Sequence, residues 1–519
     1  MSRILITFLA MGLSLPAIAG LHTALAQAAG ERVVIADDDP DWGLPAPYLQ
    51  GRGGMGYILT SWVFDNLVGQ DSKGKPAPEL AREWKRSPDG LSFDLTLDEA
   101  ARWHDGEDVT SDDVAFTFDY MRTNPHVFVS LANVAGTEIL DEDRIRITLS
   151  EPDAGFEAGV LMGLPILPQH IYEGRENPRR FTDDAALTGT GPFRLVSHDR
   201  AQGRYVLAAV EDYYRGAPRF GELLVVKMSS EAAIEAIRAG EVDVMTSVPF
   251  RLIDRARKAG LSIIESAAGH PAKLRFEHEG VFADVRLRQG LAHAIDRATL
   301  AKIAYRGGAV PANLGYLQDG SRWFNPEGVA SYPPDAERAA ALFSQAGWAR
   351  GDDGRWMRDG EPVTLRIITQ GREERLAVVL VDQLEAFGIG AELRVLESGA
   401  FREAVDARDY DLALAIGSTM GDPSTVRERV FGMKRNNERF TGDGRLRALA
   451  DAQARSLDPT ERAELLHQFQ EAYAEELPTI MLVNTVWAAA HGPRVTPFFF
   501  PDGVAVGIPV AVHKYTFLK

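Results

Sequence analysis

Val363-Thr364-Leu365-Arg366-Ile367 opens the stretch whose reading decides the fold. Val363, Leu365 and Ile367 alternate with more polar positions, as a half-buried strand requires. In residues 372–387, Leu376, Val379, Leu380, Leu384 and Phe387 fall on one helical face. Gly388 stands where a helix-ending glycine belongs, and Ala391, Leu393 and Val395 then alternate with Glu392 and Arg394. The order is strand, helix, strand. A second unit of this kind lies upstream. Residues 223–228 form an apolar strand, residues 231–239 a helix with Ile234 and Ile237 on one face, Gly240 its end, and residues 242–248 a second strand. Two separated units predict at least two α/β lobes with mixed sheets.

Other helices carry caps. Asp335 opens a helix over 336–345 and Gly347 follows it. Asp458-Pro459 opens another, running to about residue 476, with proline at the first helical position. Residues 60–190 differ, with short strands at 92–97 and 144–149, turns at Pro88-Asp89-Gly90 and His104-Asp105-Gly106, and a helix over 112–121. They read as a smaller α+β insertion. No linker separates independent modules, so the lobes are expected to be interleaved.

The chain has 519 residues, 45% hydrophobic and 25% charged, an ordinary globular composition that excludes disordered and low-complexity classes. Cysteine is absent, which excludes disulfides, thiolate metal sites and cysteine nucleophiles. A net charge of −18 gives no general footprint for nucleic acid. Residues 1–28 read as a secretory signal: Arg3, an apolar run over 4–15, Pro16, then Ala24-Leu25-Ala26 and Ala26-Gln27-Ala28 as cleavage sites. The expectation is a periplasmic protein whose mature chain does not insert into a membrane.

No motif argues for catalysis. Gly51-Arg52-Gly53-Gly54-Met55-Gly56 has dinucleotide-loop spacing, but Pro45 and Pro47 before it cannot belong to a central strand, so a glycine-rich loop near a ligand or at the surface is expected instead. The histidines show no metal spacing, and His270 and His278 are expected to be surface or hydrogen-bonded residues. Trp103-His104-Asp105-Gly106 reads as a turn rather than a catalytic pair. No catalytic, cofactor or metal residues are assigned.

Ordered blocks then mark a resemblance. Val63-Phe64-Asp65-Asn66-Leu67-Val68, Pro78-Glu79-Leu80-Ala81, Trp84, Ser87-Pro88-Asp89-Gly90 and Trp103-His104-Asp105-Gly106 lead. Gly189-Thr190-Gly191-Pro192-Phe193, Asp212-Tyr213-Tyr214-Arg215-Gly216, Ala239-Gly240-Glu241-Val242-Asp243, Asp284-Val285-Arg286, Ala294-Ile295-Asp296-Arg297, Ala346-Gly347-Trp348 and Gly421-Asp422-Pro423 follow. In this order they resemble the extracytoplasmic solute-binding proteins of ABC importers, family 5, the dipeptide, oligopeptide and nickel class. The resemblance implies a two-lobed periplasmic-binding-protein fold with a hinge and an inserted domain. Its boundaries would be domain I at 29–58, 189–268 and 487–519, domain II at 59–188, and domain III at 269–486.

It further implies a monomer that captures a peptide or similar small solute between the lobes, with no chemistry, and delivers it to a two-subunit permease with its ATPases. A nickel-chelate receptor and a periplasmic chaperone or sensor partner are the alternatives. Peptide-binding members pair the ligand amine with an aspartate three residues before the Asp-Pro pair. Thr419 stands there, so Asp422 is the expected substitute. Ser424 occupies the place where some nickel members carry histidine. Arg52 and Arg427 are candidate carboxylate partners. Tyr48, Tyr57 and Met420 are candidate cleft walls.

Overall fold

In the computed structural model the described residues are 32–39, 41–50, 54–71, 75–266, 270–319, 321–417, 419, 421–433, 437–442, 444–498 and 512–518. The signal reading of residues 1–28 lies outside them. Their strands assemble into two large mixed sheets and three smaller antiparallel ones. The first sheet has seven strands in the spatial order Ser262–Ser266, Trp487–His491, Val244–Met245, Arg32–Asp37, Glu222–Lys227, Arg204–Ala209 and Phe193–Asp199. Arg32–Asp37 lies parallel to both neighbours, with Ile35 opposite Val225 on one side and Val244 on the other. The upstream βαβ unit therefore exists with the N-terminal strand seated in its middle. Its helix, Ser230–Ala239, is capped by Ser229 and ends at Gly240 in the left-handed region.

The strand expected over 242–248 is shorter and covers Val244–Met245. Asp243 marks its shortened start. Its carboxylate accepts the Val34 N–H at 2.9 Å, replacing a ladder bond with a side-chain bond.

The second sheet has six strands in the order Ala309–Pro311, Thr479–Thr485, Pro271–Phe276, Leu412–Ile416, Thr364–Gln370 and Gly390–Leu396. Thr364–Gln370 and Gly390–Leu396 pair in parallel across the helix Glu374–Ala386, as the opening stretch of sequence predicts. A four-stranded antiparallel sheet with the helix Ser111–Thr123 forms between residues 81 and 149. Thr110 and Asp113 close a capping box at that helix start. The Trp103-His104-Asp105-Gly106 turn holds the following glycine segment, with His104 Nε2 2.9 Å from the Gly191 carbonyl. Its Asp105 pairs with His170 rather than His104.

Two antiparallel connections join the large sheets. Ser266 lies opposite Trp487 in the first, Pro271 opposite Asn484 in the second, and Val486 alone separates Thr479–Thr485 from Trp487–His491. The paired strands on either side of this crossing form a ribbon that leads from one sheet into the other. No helix among the described residues is long and apolar enough to cross a membrane.

The blocks that carry the resemblance converge on a sealed ionic cluster. Lys514 Nζ lies 2.5 Å from Asp65 Oδ1 and also bonds Glu79, all three fully buried. Tyr213 and Tyr214 donate to Asp65 at 3.2 and 3.1 Å, and Tyr515 donates to Glu79 at 2.8 Å. Burial pushes the Asp65 carboxyl up; at Glu79 burial is outweighed by Lys514, which holds it below the usual range. Gly189 passes so close that a Cβ there would lie 1.9 Å from the Val63 carbonyl oxygen.

Candidate functional site

The strand Pro271–Phe276 is buried along its whole length. Ala272, Leu274 and Phe276 face the apolar core of the second lobe. Strand alternation then turns Lys273 and Arg275 to the opposite face. Their partners across the sheet are Ala415 and Ala413. Long cationic side chains beside two methyl groups leave a hollow, and a cavity of about 450 Å³ opens there. It is lined by Lys273, Arg275, Tyr316, Arg372, Arg429 and Glu438, among others. The ends of two parallel strands, at Gln370 and Ile416, border it. Carboxyl ends of parallel strands are where open α/β sheets present ligands.

The polar groups are ordered by one another. Lys273 pairs with Glu438 at 3.1 Å, with side chains 8% and 3% exposed, and stands 4.9 Å from the centre of the Tyr316 ring. Glu438 also accepts the Tyr473 hydroxyl at 2.6 Å. Arg275 donates to the Asn437 carbonyl, and burial pulls its guanidinium below its ordinary pKa. Arg372 pairs with the buried Glu373. Tyr316 is 1% exposed, its backbone sits at φ 75°, and its hydroxyl has no hydrogen-bond partner among the described residues.

Of the residues expected from sequence, Tyr48, Tyr57, Thr419, Asp422 and Arg427 are not among those that line this cavity. Arg52 and Met420 fall outside the described residues. Tyr48 donates to the Asn124 carbonyl at 2.6 Å and packs on Tyr120 and Tyr172, in the core of the insertion. Tyr57 is buried edge-on against Phe128. Burial pushes both phenols up. Neither tyrosine lines the cavity.

Asp422 is not available to a ligand amine. Arg462 holds its carboxylate, with side chains 6% and 5% exposed, and the same carboxylate caps the Ser424 N–H at 2.9 Å. Arg427 does not offer a free fork either. It pairs with Asp451 at 2.9 Å and with Glu151 of the insertion at 3.3 Å. Thr419 is buried, with its hydroxyl unpartnered among the described residues. It lies two residues past Gly417, which does line the cavity.

Sequence reading passed over Lys273, Arg275, Tyr316 and Glu438. Its usable signal was local: two cations alternating with three apolar residues in Ala272-Lys273-Leu274-Arg275-Phe276. A strand with one core face must put those cations together on the other.

Residues 75–438 match the model of the bacterial extracellular solute-binding proteins, family 5. The dipeptide-binding protein of Pseudomonas aeruginosa is 25% identical over 523 residues, covering 92% of this chain and 95% of that one. Among solved structures, NikA of Brucella suis in complex with Fe(III)-EDTA superposes with a TM-score of 0.78 at 20% identity, covering 94% of this chain and 99% of that one. DppA of Helicobacter pylori in complex with the peptide STSA gives a TM-score of 0.74 at 22% identity, covering 93% and 98%. These structures share the two-lobed fold.

Proposed function

The chain belongs to the bacterial extracellular solute-binding proteins of family 5, and from that premise we propose that it is the periplasmic substrate-binding component of an ABC importer. It captures a peptide or similar small solute between its lobes, performs no chemistry on it, and delivers it to a two-subunit permease driven by ATPases. The observation that carries this reading is the cavity at the carboxyl ends of Thr364–Gln370 and Leu412–Ile416 in the lobe that the paired ribbon joins to the first sheet. The domain division into 29–58, 189–268 and 487–519, then 59–188, then 269–486, places the hinge on that ribbon.

The physics is differential binding. The closed form must gain contacts from both lobes that the open form lacks, or ligand shifts no equilibrium. Polar groups enclosed on closure must be matched by the solute or by trapped water. A tight solute then raises the melting temperature in proportion to the logarithm of its concentration over Kd.

The test is native mass spectrometry of the purified protein, followed by melting and small-angle scattering with the molecules that co-purify. A peptide ladder, a higher melting temperature and a more compact profile are expected. A metal adduct instead would move the reading to a chelate receptor. Stable turnover of a peptide, or no response to any peptide or chelate, would overturn it.

A further inference from the structure

We propose that residues 151–155 of the insertion and residues 422–462 of the second lobe form a clasp that holds the lobes together before solute arrives. The chain passes between the two large sheets twice, after Ser266 and at Val486, and both crossings lie in the paired ribbon. Opening about that ribbon has to part whatever else joins the lobes. The insertion moves with the first lobe, because Lys514 is buried between Asp65 and Glu79 and His104 bonds the Gly191 carbonyl. Its other edge nevertheless reaches the second lobe.

The Ala154 N–H donates to the Ala454 carbonyl at 2.7 Å. Arg462 donates to the Ala154 carbonyl at 3.4 Å while it holds Asp422 at 3.1 Å. Both backbone groups of Ala154 are therefore satisfied by the second lobe. Gly155 packs so closely that a Cβ there would strike Ser424 and lie 2.7 Å from Asp422 Oδ1. Leu457 closes over the Pro88-Asp89-Gly90 turn, where a Cβ on Gly90 would lie 2.5 Å from Leu457 Cδ1 and 3.3 Å from Pro152 Cβ. At the rim Glu151 pairs with Arg455 at 2.7 Å and Arg427 at 3.3 Å, with side chains 39% to 48% exposed. Pairs that open to water contribute little. The enclosed backbone bonds and the fit around Gly155 and Leu457 carry the clasp. Every partner in it is a group of the chain itself, so it favours the shut arrangement with or without solute. The consequence for transport rests on the solute-capture reading: solute enters through the open form, so a stronger clasp slows entry, and it slows escape because clasp and solute contacts must then break together.

The test uses purified protein stripped of solute, with native mass spectrometry confirming that none remains. The chain has no cysteine, so Ala154→Cys with Ala454→Cys supplies one thiol pair, and diamide should oxidise it at a rate set by the shut fraction. Adding Gly155→Ala, whose Cβ meets Ser424 and Asp422 first, should slow that oxidation about tenfold and enlarge the solute-free scattering profile. Ser424→Gly removes the Ser424 atoms in its way and should recover most of the lost rate. Glu151→Gln should slow oxidation by less than about threefold. Leu457→Ser weakens the clasp from the other side and repeats the test should Gly155→Ala fail to fold. Oxidation no faster in the parent pair than with Gly155→Ala or Leu457→Ser would overturn the clasp. Solute capture is read separately, from the melting shift with co-purified solute, and stands or falls without it.

Discussion

The cluster around Lys514 and the one around Lys273 are built from the same parts: a buried lysine, carboxylate, and tyrosine hydroxyls. They differ in whether the parts cancel. Around Lys514, two carboxylates face one lysine, with three tyrosine hydroxyls donating to them and Arg215 adding positive charge to the field. Around Lys273, one carboxylate faces several cations, one tyrosine hydroxyl is unmatched among the described residues, and about 450 Å³ of space adjoins them. In the first the charged groups pair with one another, although a buried Arg215 nitrogen has no partner among the described residues; in the second a hydroxyl is left beside open space. Buried polar groups inform about function when their account is left unbalanced.

The sharpest way to break this contrast is to remove each lysine. Lys514→Met strands two carboxylates in a dry interior and should cost about 3–5 kcal/mol in denaturant unfolding. An effect as small as that of an exposed ion pair would show that the cluster is hydrated and not sealed.

Acid offers a second probe, of about 2 kcal/mol. Burial holds His513, next to Lys514, down at about 3. The folded state therefore keeps this imidazole neutral while the unfolded chain protonates below about 6.5. Its stabilising contribution is present above that value and falls away as the pH drops towards 3. By pH 5 the loss is about 2 kcal/mol, and His513→Gln should flatten that part of the pH–stability curve.

At the cavity, Lys273→Met with Glu438→Gln should leave stability within about 1 kcal/mol of the parent, because removing both partners strands neither. Melting curves with and without solute would separate this small stability change from the larger loss of binding. The smallest effect belongs to Arg427→Gln. Its ion pairs are partly exposed, so its loss should cost less than about 1 kcal/mol and leave affinity unchanged. A clear loss of affinity there would restore the residue to the ligand site.

The fold was legible because its signals are local. Leu376, Leu380 and Leu384 mark a helix face within a dozen residues, Asp335 and Asp458 open their helices and Gly240 ends its own, all through bonds to near neighbours. The site was not, because its contacts are distant. Lys273 and Glu438 are 165 residues apart, and Asp422 finds Arg462 40 residues on. A carboxylate in a ligand-like loop reads the same in sequence whether or not an arginine from another helix has claimed it. Asp65, Glu79 and the Asp212–Gly216 block, which stand out in the sequence, build the buried cluster around Lys514.

The strand Arg32–Asp37 occupies the centre of the first sheet, flanked by strands from residues 222–245, while Trp487–His491 and Lys514 come from the other end of the chain. Almost the first and almost the last described residues must meet before that lobe closes. Nascent polypeptide emerging in order can finish the insertion early, but it cannot finish the first lobe until residues 487–514 have been made. Such long-range closure is slow: the central strand of the first sheet waits for partners that lie more than four hundred residues further along the chain.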